Sequence, residues 1–441
     1  MASFFQVLPT LRGAVASSAS TSGLLIRCAC GAKPVHSTLA RGVPPGLDAV
    51  QRRGNFTVTN ERLEEFLNAE IKYLAQREVN PVKLEQIVYV THPAEVAKLV
   101  HAEIPPRFAQ RMLHIESIAE WEEVPMLKQV HAVFEQSFRE LRLADESDLE
   151  TFTEVIRRLR KRHKPVVPMI SQAIRQMYEE AILGEKALNT WVDSFMGSRI
   201  STEMLTSHFM ACIEAGQSEH PGQMTSWWGP ILQAPSSPNG IVDTGCDPAW
   251  VCQEVAESVQ ATFSASSYPT AKIQIEVNRI PDHTEIEFSY VTKYLYFVVE
   301  ELLTNAVRAV AENATSAEEL QESIIKVVVC ADEKNVAIRI ADTGGGIPFE
   351  HTESVWSYVF STSERPPHQP LGSLKNPEKA KISSSPLAGW GMGLPLSRLY
   401  VRYLGGSLEL KNMPGIGVDT YLFLNRIDLT DANLDSLFSD D

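Results

Sequence analysis

Apolar residues recur every three to four positions through the first half of the chain. In "LEEFLNAEIKYLAQ" Leu63, Phe66, Leu67 and Ile71 fall on one stripe, and "LKQVHAVFEQSFRELRLA" and "TEVIRRLRKRH" keep the same period. That spacing predicts amphipathic helices from about Val50 to Ser226. The proline-bearing stretches "IPPR" (Ile104–Arg107) and "KPVVP" (Lys164–Pro168) are expected to break them. Long helices with short breaks predict an antiparallel bundle whose apolar stripes form its core. Residues 216–248 then turn rich in Gly, Pro and Ser and read as a linker, with one short strand expected around Gly240–Asp243.

Beyond the linker the period changes from helical to alternating. "KIQIEVN" alternates at period two, "EFSYVTKYLYFVVEELLTNAVRAVAEN" leads into a helix, and "IIKVVVCADEKNVAIRIAD" reads as a hairpin turned at "DEKN". A last strand pair is expected in "SLELKNMPGIGVDTYLFLN". Ser361–Leu387 is a polar loop with five prolines, too long for a plain connection and expected to be a lid or disordered. The fold class expected is therefore α + α/β, an N-terminal antiparallel helical bundle at 50–228 followed by an α/β sandwich at 240–430. An acidic tail occupies 431–441.

Composition narrows this picture. Of 441 residues 44% are hydrophobic and 22% charged, which excludes a wholly disordered chain. The net charge of -15 argues against a general nucleic-acid binder, since phosphate contacts need clustered Lys and Arg. The acids are unevenly placed. Met1 to Leu47 contains none, and its Arg12, Arg27, Lys33 and Arg41 make it +4, leaving the rest at -19. An acid-free, Arg- and Ser-bearing N-terminus has the composition of a mitochondrial transit peptide, so residues 1–47 are set apart from both domains. No apolar run approaches the ~20 residues of a membrane span. Six cysteines without a C-x-x-C pair make zinc an unexpected ligand and suit a reducing compartment.

Three elements in the second half carry candidate chemistry. Glu301 and Asn305 stand four apart, on one face of the expected helix. A carboxamide oxygen there can bind a hard cation such as magnesium, and a carboxylate can take a proton from a hydroxyl. Alone, this spacing would describe a wet helix face. "ADTGGGIP" (Ala341–Pro348) follows a strand: Asp342 can accept a hydrogen bond from an amino group, and Gly344 and Gly346 allow close approach and positive φ. In "GWGMGLPLSRLYVRYLGG", Gly389, Gly391 and Gly393 precede Pro395 in the first turn of a helix expected to end at Gly405 and Gly406. A glycine-rich helix N-terminus offers amides and a positive dipole end to phosphates. Neither G-x-G-x-x-G nor G-x-x-x-x-G-K-[ST] is present, and the protein-kinase H-R-D and D-F-G signatures are missing.

Taken in order, E-x-x-x-N, D-x-G-x-G and the later glycine box resemble the GHKL (Bergerat-type) ATPase/kinase superfamily. "ELLTNAVRA", "YVFSTS", "PLAGWGMGLPLSRLY" and "RYLGGSLEL", with "RHKPVVP" and "FMGSRISTEMLTSH" in the bundle, resemble the mitochondrial 2-oxo-acid dehydrogenase kinases over about Asn60–Ile427. The resemblance implies an ATP-Mg2+-dependent protein-serine kinase of the mitochondrial matrix. It would phosphorylate and inactivate the E1 component of the pyruvate dehydrogenase complex, with a lipoyl-bearing E2 as second partner and a homodimer as the assembly. Carried over by position, Glu301 would be the general base and Asn305 the magnesium ligand. Asp342 would bind the adenine amino group beside Gly344 and Gly346. Ser361 and Thr362 would start the ATP lid, and Gly389, Gly391, Met392, Gly393 and Leu394 would cradle the phosphates. His163 and Arg199 match positions lining a regulatory pocket.

The chain departs from that pattern at four places. Thr304 stands where a lysine is usual, and Val418 where a threonine is usual, with Thr420 on the same strand face. Glu203 replaces a second arginine of the regulatory pocket, which puts inhibition by a small carboxylate in doubt. The tail lacks an Asp-Trp pair that helps some relatives grip a lipoyl domain. The branched-chain 2-oxo-acid dehydrogenase complex is the alternative substrate, and a weakened scaffold the alternative class. His208 is followed by Phe209 rather than an acid, so it is expected to be a packed histidine and not a phospho-acceptor.

Overall fold

The computed structural model describes residues 24–26, 56–79, 87, 89–217, 240–265, 274–280, 288–316, 319–320, 323–331, 335–361 and 391–425. Thr362, Gly389, nearly all of the polar loop, most of the linker, the acidic tail and all of 1–47 except Leu24–Ile26 lie outside the described residues. A short antiparallel pair joins β1 (Leu24–Ile26) to β2 (Phe56–Val58).

Among the described residues six helices of defined extent follow: α1 (Asn60–Ala75), α2 (Pro93–Glu116), α3 (Pro125–Leu143), α4 (Leu149–His163), α5 (Val166–Glu179) and α6 (Glu185–Gln217). α2 packs against α1, α3 and α6, so it runs through the middle of the bundle. Phe108, Phe134, Phe138, Phe152, Phe195 and Phe209 are all buried there, and Phe134 meets Phe195 and Phe108 at centroid distances of 5.9 and 5.5 Å. The break expected at Ile104–Arg107 is absent. Pro105 and Pro106 lie inside α2 and are fully buried. Each interior proline costs about 3 kcal/mol through a lost backbone bond. Packing of α2 on both flanks outweighs that cost, and Arg107 Nη1 donates to the Glu103 carbonyl oxygen at 2.6 Å, satisfying an acceptor beside the proline pair. The second expected break holds: α4 stops at His163, and Pro165 caps α5.

The second half is a two-layer sandwich. A five-stranded sheet has the order β4-β6-β7-β9-β8, built from β4 (Gln274–Ile280), β6 (Ile324–Ala331), β7 (Asn335–Ala341), β8 (Ser407–Met413) and β9 (Gly417–Asn425). Only the β4–β6 pair is parallel. Along β6, β7 and β9 alternate residues are buried (Val327 and Val329, Val336 and Ile338, Leu422 and Leu424), the period-two pattern of a one-sided sheet. Three helices cover that face: α7 (Pro248–Ala265), α8 (Thr292–Asn313) and α9 (Gly393–Tyr403). A separate ribbon pairs β3 (Asp243–Cys246) with β5 (Phe288–Tyr290), placing the expected linker strand three residues later than Gly240. No helix among the described residues is long and apolar enough to cross a membrane.

Candidate active site

α8 carries Glu301 and Asn305 one turn apart, as its sequence spacing requires, but burial separates them. Glu301 is 5% exposed, while Asn305 stands in the open. Thr304 is buried beside them, so a longer side chain there would have to extend its stem outward. Glu301 points at the beginning of α9: a Cβ on Gly393 would overlap its Oε2. Glycine at 393 is therefore a clearance for the carboxylate. Met392 makes no side-chain cap at the α9 N-terminus, and Pro395 sits in its first turn, so among the described residues no side chain caps the first amides. Gly391 takes φ +75°, and a Cβ there would stand 2.5 Å from the Phe360 carbonyl oxygen, next to Ser361.

Asp342 follows the last residue of β7. Its Oδ1 accepts from the Gly344 amide at 2.9 Å and the Val418 amide at 3.3 Å. Burial raises its pKa above the ordinary aspartate value; those amides work the other way, and Asp419 adds to the rise. The three glycines after it serve different ends, which the sequence alone did not separate. Gly345 and Gly346 take φ +79° and +72°, whereas Gly344 does not. Gly344 is needed because a Cβ would stand 2.5 Å from Ala309 Cβ on α8, so the loop presses onto that helix. The β8–β9 hairpin holds the loop from the other side: Gly345 N donates to Ile416 O at 3.2 Å, and Asn412 bonds both Ile347 N and O, at 2.8 and 2.6 Å. Gly417, not singled out from sequence, is where the Asp342 carbonyl would meet any Cβ.

The sheet end thus brings together Glu301 and Gly393 by contact, and Asp342 with its loop against the same helix. Thr420, on the face of Val418, is buried. Among the described residues no three His, Cys, Asp or Glu side chains gather to hold a metal ion. The exposed amide of Asn305 is a single hard-oxygen ligand, which fits a cation carried largely by phosphate and water oxygens.

The two residues expected to line a regulatory pocket, His163 and Arg199, are buried in the bundle. His163 is buried, with Nε2 2.8 Å from Ser137 Oγ and its ring stacked on Phe108 at 5.2 Å. Burial, then the cations Arg111, Arg199 and Arg162, hold its pKa well below the ordinary histidine value, so it is neutral. Arg111, unnoticed in the sequence, lies beneath the Phe134 ring at 4.7 Å and donates to Ser198 O and Oγ and Thr202 Oγ1. Its Nε and Nη1 find no partner among the described residues. Glu203 touches this group at Arg199 and otherwise points away from it. It bridges outward to the sandwich, accepting from Lys293 Nζ on α8 and from Tyr400 OH on α9 at 3.1 Å, with Arg199 Nη1 at 3.7 Å. Burial alone would raise its pKa; Lys293 and Arg199 outweigh that and hold it below the ordinary glutamate value. His208 is fully buried with Nε2 2.8 Å from Val90 O, a packed histidine as expected.

Two family models match the chain. The one described as mitochondrial branched-chain alpha-ketoacid dehydrogenase kinase matches residues 81–242, and the histidine kinase-, DNA gyrase B-, and HSP90-like ATPase model matches residues 290–428. The mitochondrial [pyruvate dehydrogenase (acetyl-transferring)] kinase of Arabidopsis thaliana is 29% identical over 75% of this chain and 84% of its own length. The corresponding Drosophila melanogaster kinase is 27% identical, covering 80% of this chain and 77% of its own. Human isozyme 4 is 30% identical over 66% of this chain and 65% of its own. The mycobacterial sensor histidine kinase MprB superposes at a TM-score of 0.28 and 19% identity over 41% of this chain and 95% of its own, too loosely to carry an argument.

Proposed function

We propose that the chain is a member of the mitochondrial 2-oxo-acid dehydrogenase kinases of the GHKL superfamily, on the strength of its two family-model matches and its kinase relatives, and that its own residues perform the transfer. It is a mitochondrial ATP-using kinase of the pyruvate dehydrogenase type, the activity named for its relatives. The finer reading is that it phosphorylates a serine of the E1 component in the matrix, using ATP with magnesium. In that reading the lipoyl-bearing E2 is its second partner and a homodimer its assembly.

One observation carries this reading: the Glu301 carboxylate is seated against the first residue of α9, at the place where a helix N-terminus offers amides to phosphate. Glu301 takes the proton of the attacking serine hydroxyl. Gly391, Met392, Gly393 and Leu394, together with Gly389, cradle the phosphates, and Ser361 and Thr362 begin the lid over them. Asn305 would hold the magnesium, whose charge offsets that of the phosphates. Asp342 accepts the adenine amino group on the oxygen not used by its backbone amides, with Gly344 and Gly346 shaping that side of the pocket. Phosphoryl transfer needs placement and charge neutralisation more than covalent help, so this set suffices.

Incubation of the purified protein with radiolabelled ATP and, separately, purified E1 of the pyruvate and branched-chain complexes tests the proposal. Strong labelling of a serine in pyruvate dehydrogenase E1 is expected. Preferential labelling of branched-chain E1 would replace the substrate, and labelling of neither would leave a scaffold.

In the bundle, His163 and Arg199 are proposed to line the regulatory pocket. The unpartnered donors of Arg111 supply cationic hydrogen bonding there in place of the arginine that Glu203 replaces.

A further inference from the structure

The bundle and the sandwich meet along α6, and the contacts are directional polar ones. Near its N-terminal end, Asn189 Oδ1 accepts from the Tyr358 amide at 3.0 Å, and Tyr358 OH donates to Asp193 Oδ1 at 2.7 Å. Further along the same helix, Glu203, with no exposed side-chain surface, accepts from Lys293 and from Tyr400. α6 therefore grips three pieces of the sandwich at once: the segment around Tyr358, the first turn of α8, and the last turn of α9.

Those pieces frame the candidate site. Lys293 lies a little over two turns before Glu301 on α8, and Tyr400 about two turns after Gly393 on α9. The Tyr400 ring packs on Tyr294 and Phe297 of α8, at 4.8 and 5.1 Å, so the two helices move as a pair or slide at this contact. A slide of α9 along α8 would carry Gly393 away from the Glu301 carboxylate, because the clearance exists only where glycine faces Oε2. A buried ion pair is a poor choice for stability alone, since apolar residues of the same volume would serve as well. It is a good choice for fixing one register, because a misplaced partner strands a charge without solvent.

We propose that Glu203 and Lys293 are positioning residues for phosphoryl transfer. Their ion pair, completed by the Tyr400 hydroxyl, locks α8 and α9 onto α6 in the register that sets Glu301 against Gly393. The proposal rests on Glu301 being the base. It makes the replacement of arginine by glutamate at 203 a coupling feature rather than simply a lost pocket residue.

The test uses the full-length protein and three variants: Glu203→Gln, Lys293→Gln and Tyr400→Phe. Each is measured for kcat and KM on E1, for nucleotide affinity by calorimetry, and for hydrogen exchange by mass spectrometry. Glu203→Gln is expected to lower kcat by about tenfold or more, with nucleotide affinity kept within about threefold, because misplacement of a reacting group is costly while Asp342 is untouched. Exchange should rise in peptides spanning 292–305 and 391–403 and stay unchanged across 335–347. Lys293→Gln should lower kcat as Glu203→Gln does, and Tyr400→Phe should lie between the wild type and Glu203→Gln. A folded Glu203→Gln protein with unchanged exchange in both peptides overturns the proposal. So does a uniform rise in exchange that tracks a lower melting temperature, which would make the cluster merely structural. If the wild type labels no E1, the kinase reading fails on its own, and the exchange pattern still decides whether the ion pair sets this register.

Discussion

Glu203 and Glu301 are both buried glutamates, 1% and 5% exposed, in contrasting company. Glu203 is met by an ammonium, a guanidinium and a phenol from three helices, which hold it ionised and fixed. Glu301 is met at one oxygen by the bare backbone of a glycine, one turn from an exposed carboxamide. Asp342 shares the second kind of setting, bonded by backbone amides and raised in pKa where Glu203 is lowered. A buried acid ringed by side-chain cations is committed to the fold. Glu301 against a glycine and Asp342 held by two backbone amides are instead placed beside main chain, at the end of the sheet where the candidate site lies.

The sharpest way to break that contrast is Glu301→Gln. Phosphoryl transfer should fall by about 10²–10⁴-fold, the usual worth of a general base, while calorimetric nucleotide affinity stays near wild type. Retained transfer would remove Glu301 from the reaction. Asp342→Ala comes next: losing a charged acceptor should weaken nucleotide binding by about ten- to a hundredfold with the fold intact. Gly393→Ala tests the clearance itself. Its methyl must displace the carboxylate, so single-turnover transfer should slow by about tenfold with nucleotide binding kept, and an unaffected rate would show that the contact is idle.

A pH series sharpens the same comparison. Asp342 is raised, so the fold favours its protonated form and recovers stability as pH falls through its pKa. Nucleotide binding needs the ionised acceptor and moves the opposite way. Calorimetry should therefore show affinity lost on acidification from a pH above the ordinary aspartate range, with Asp342→Asn flattening the profile. The smallest effect is expected at Arg111→Met. The variant loses the Nη2 hydrogen bonds to Ser198 and Thr202 but also removes two buried donors unpartnered among the described residues. The terms oppose, so thermal stability should change by about 1 kcal/mol, while any small-carboxylate binding in the bundle is lost.

Much of the site was legible because its determinants are local. A Glu and an Asn four apart on a helix, an acid at a strand end, and glycines leading into Pro395 each state their geometry through backbone periodicity and φ/ψ preference. Gly344, Gly345 and Gly346 mark the limit of that legibility. Residue type announced a special backbone, but positive φ falls on the second and third, and the first answers to Ala309 across the packing. Pro105 and Pro106 failed for the same reason, since proline preference is local and the packing that keeps α2 continuous is not. In sequence Glu203 is simply a missing pocket arginine, because Lys293 and Tyr400, distant along the chain, carry no signal of converging on it.

By itself the sequence determined the two-part α + α/β organisation, the period of each element and the residues offering chemistry. These follow from spacing along one chain. Only the tertiary structure decided that Glu203 meets Lys293, Arg199 and Tyr400 and that Glu301 lies against Gly393, because that depends on what other segments bring to within a few ångströms. It also decided that α6 joins the two halves, since such contacts arise from packing and leave no periodic trace.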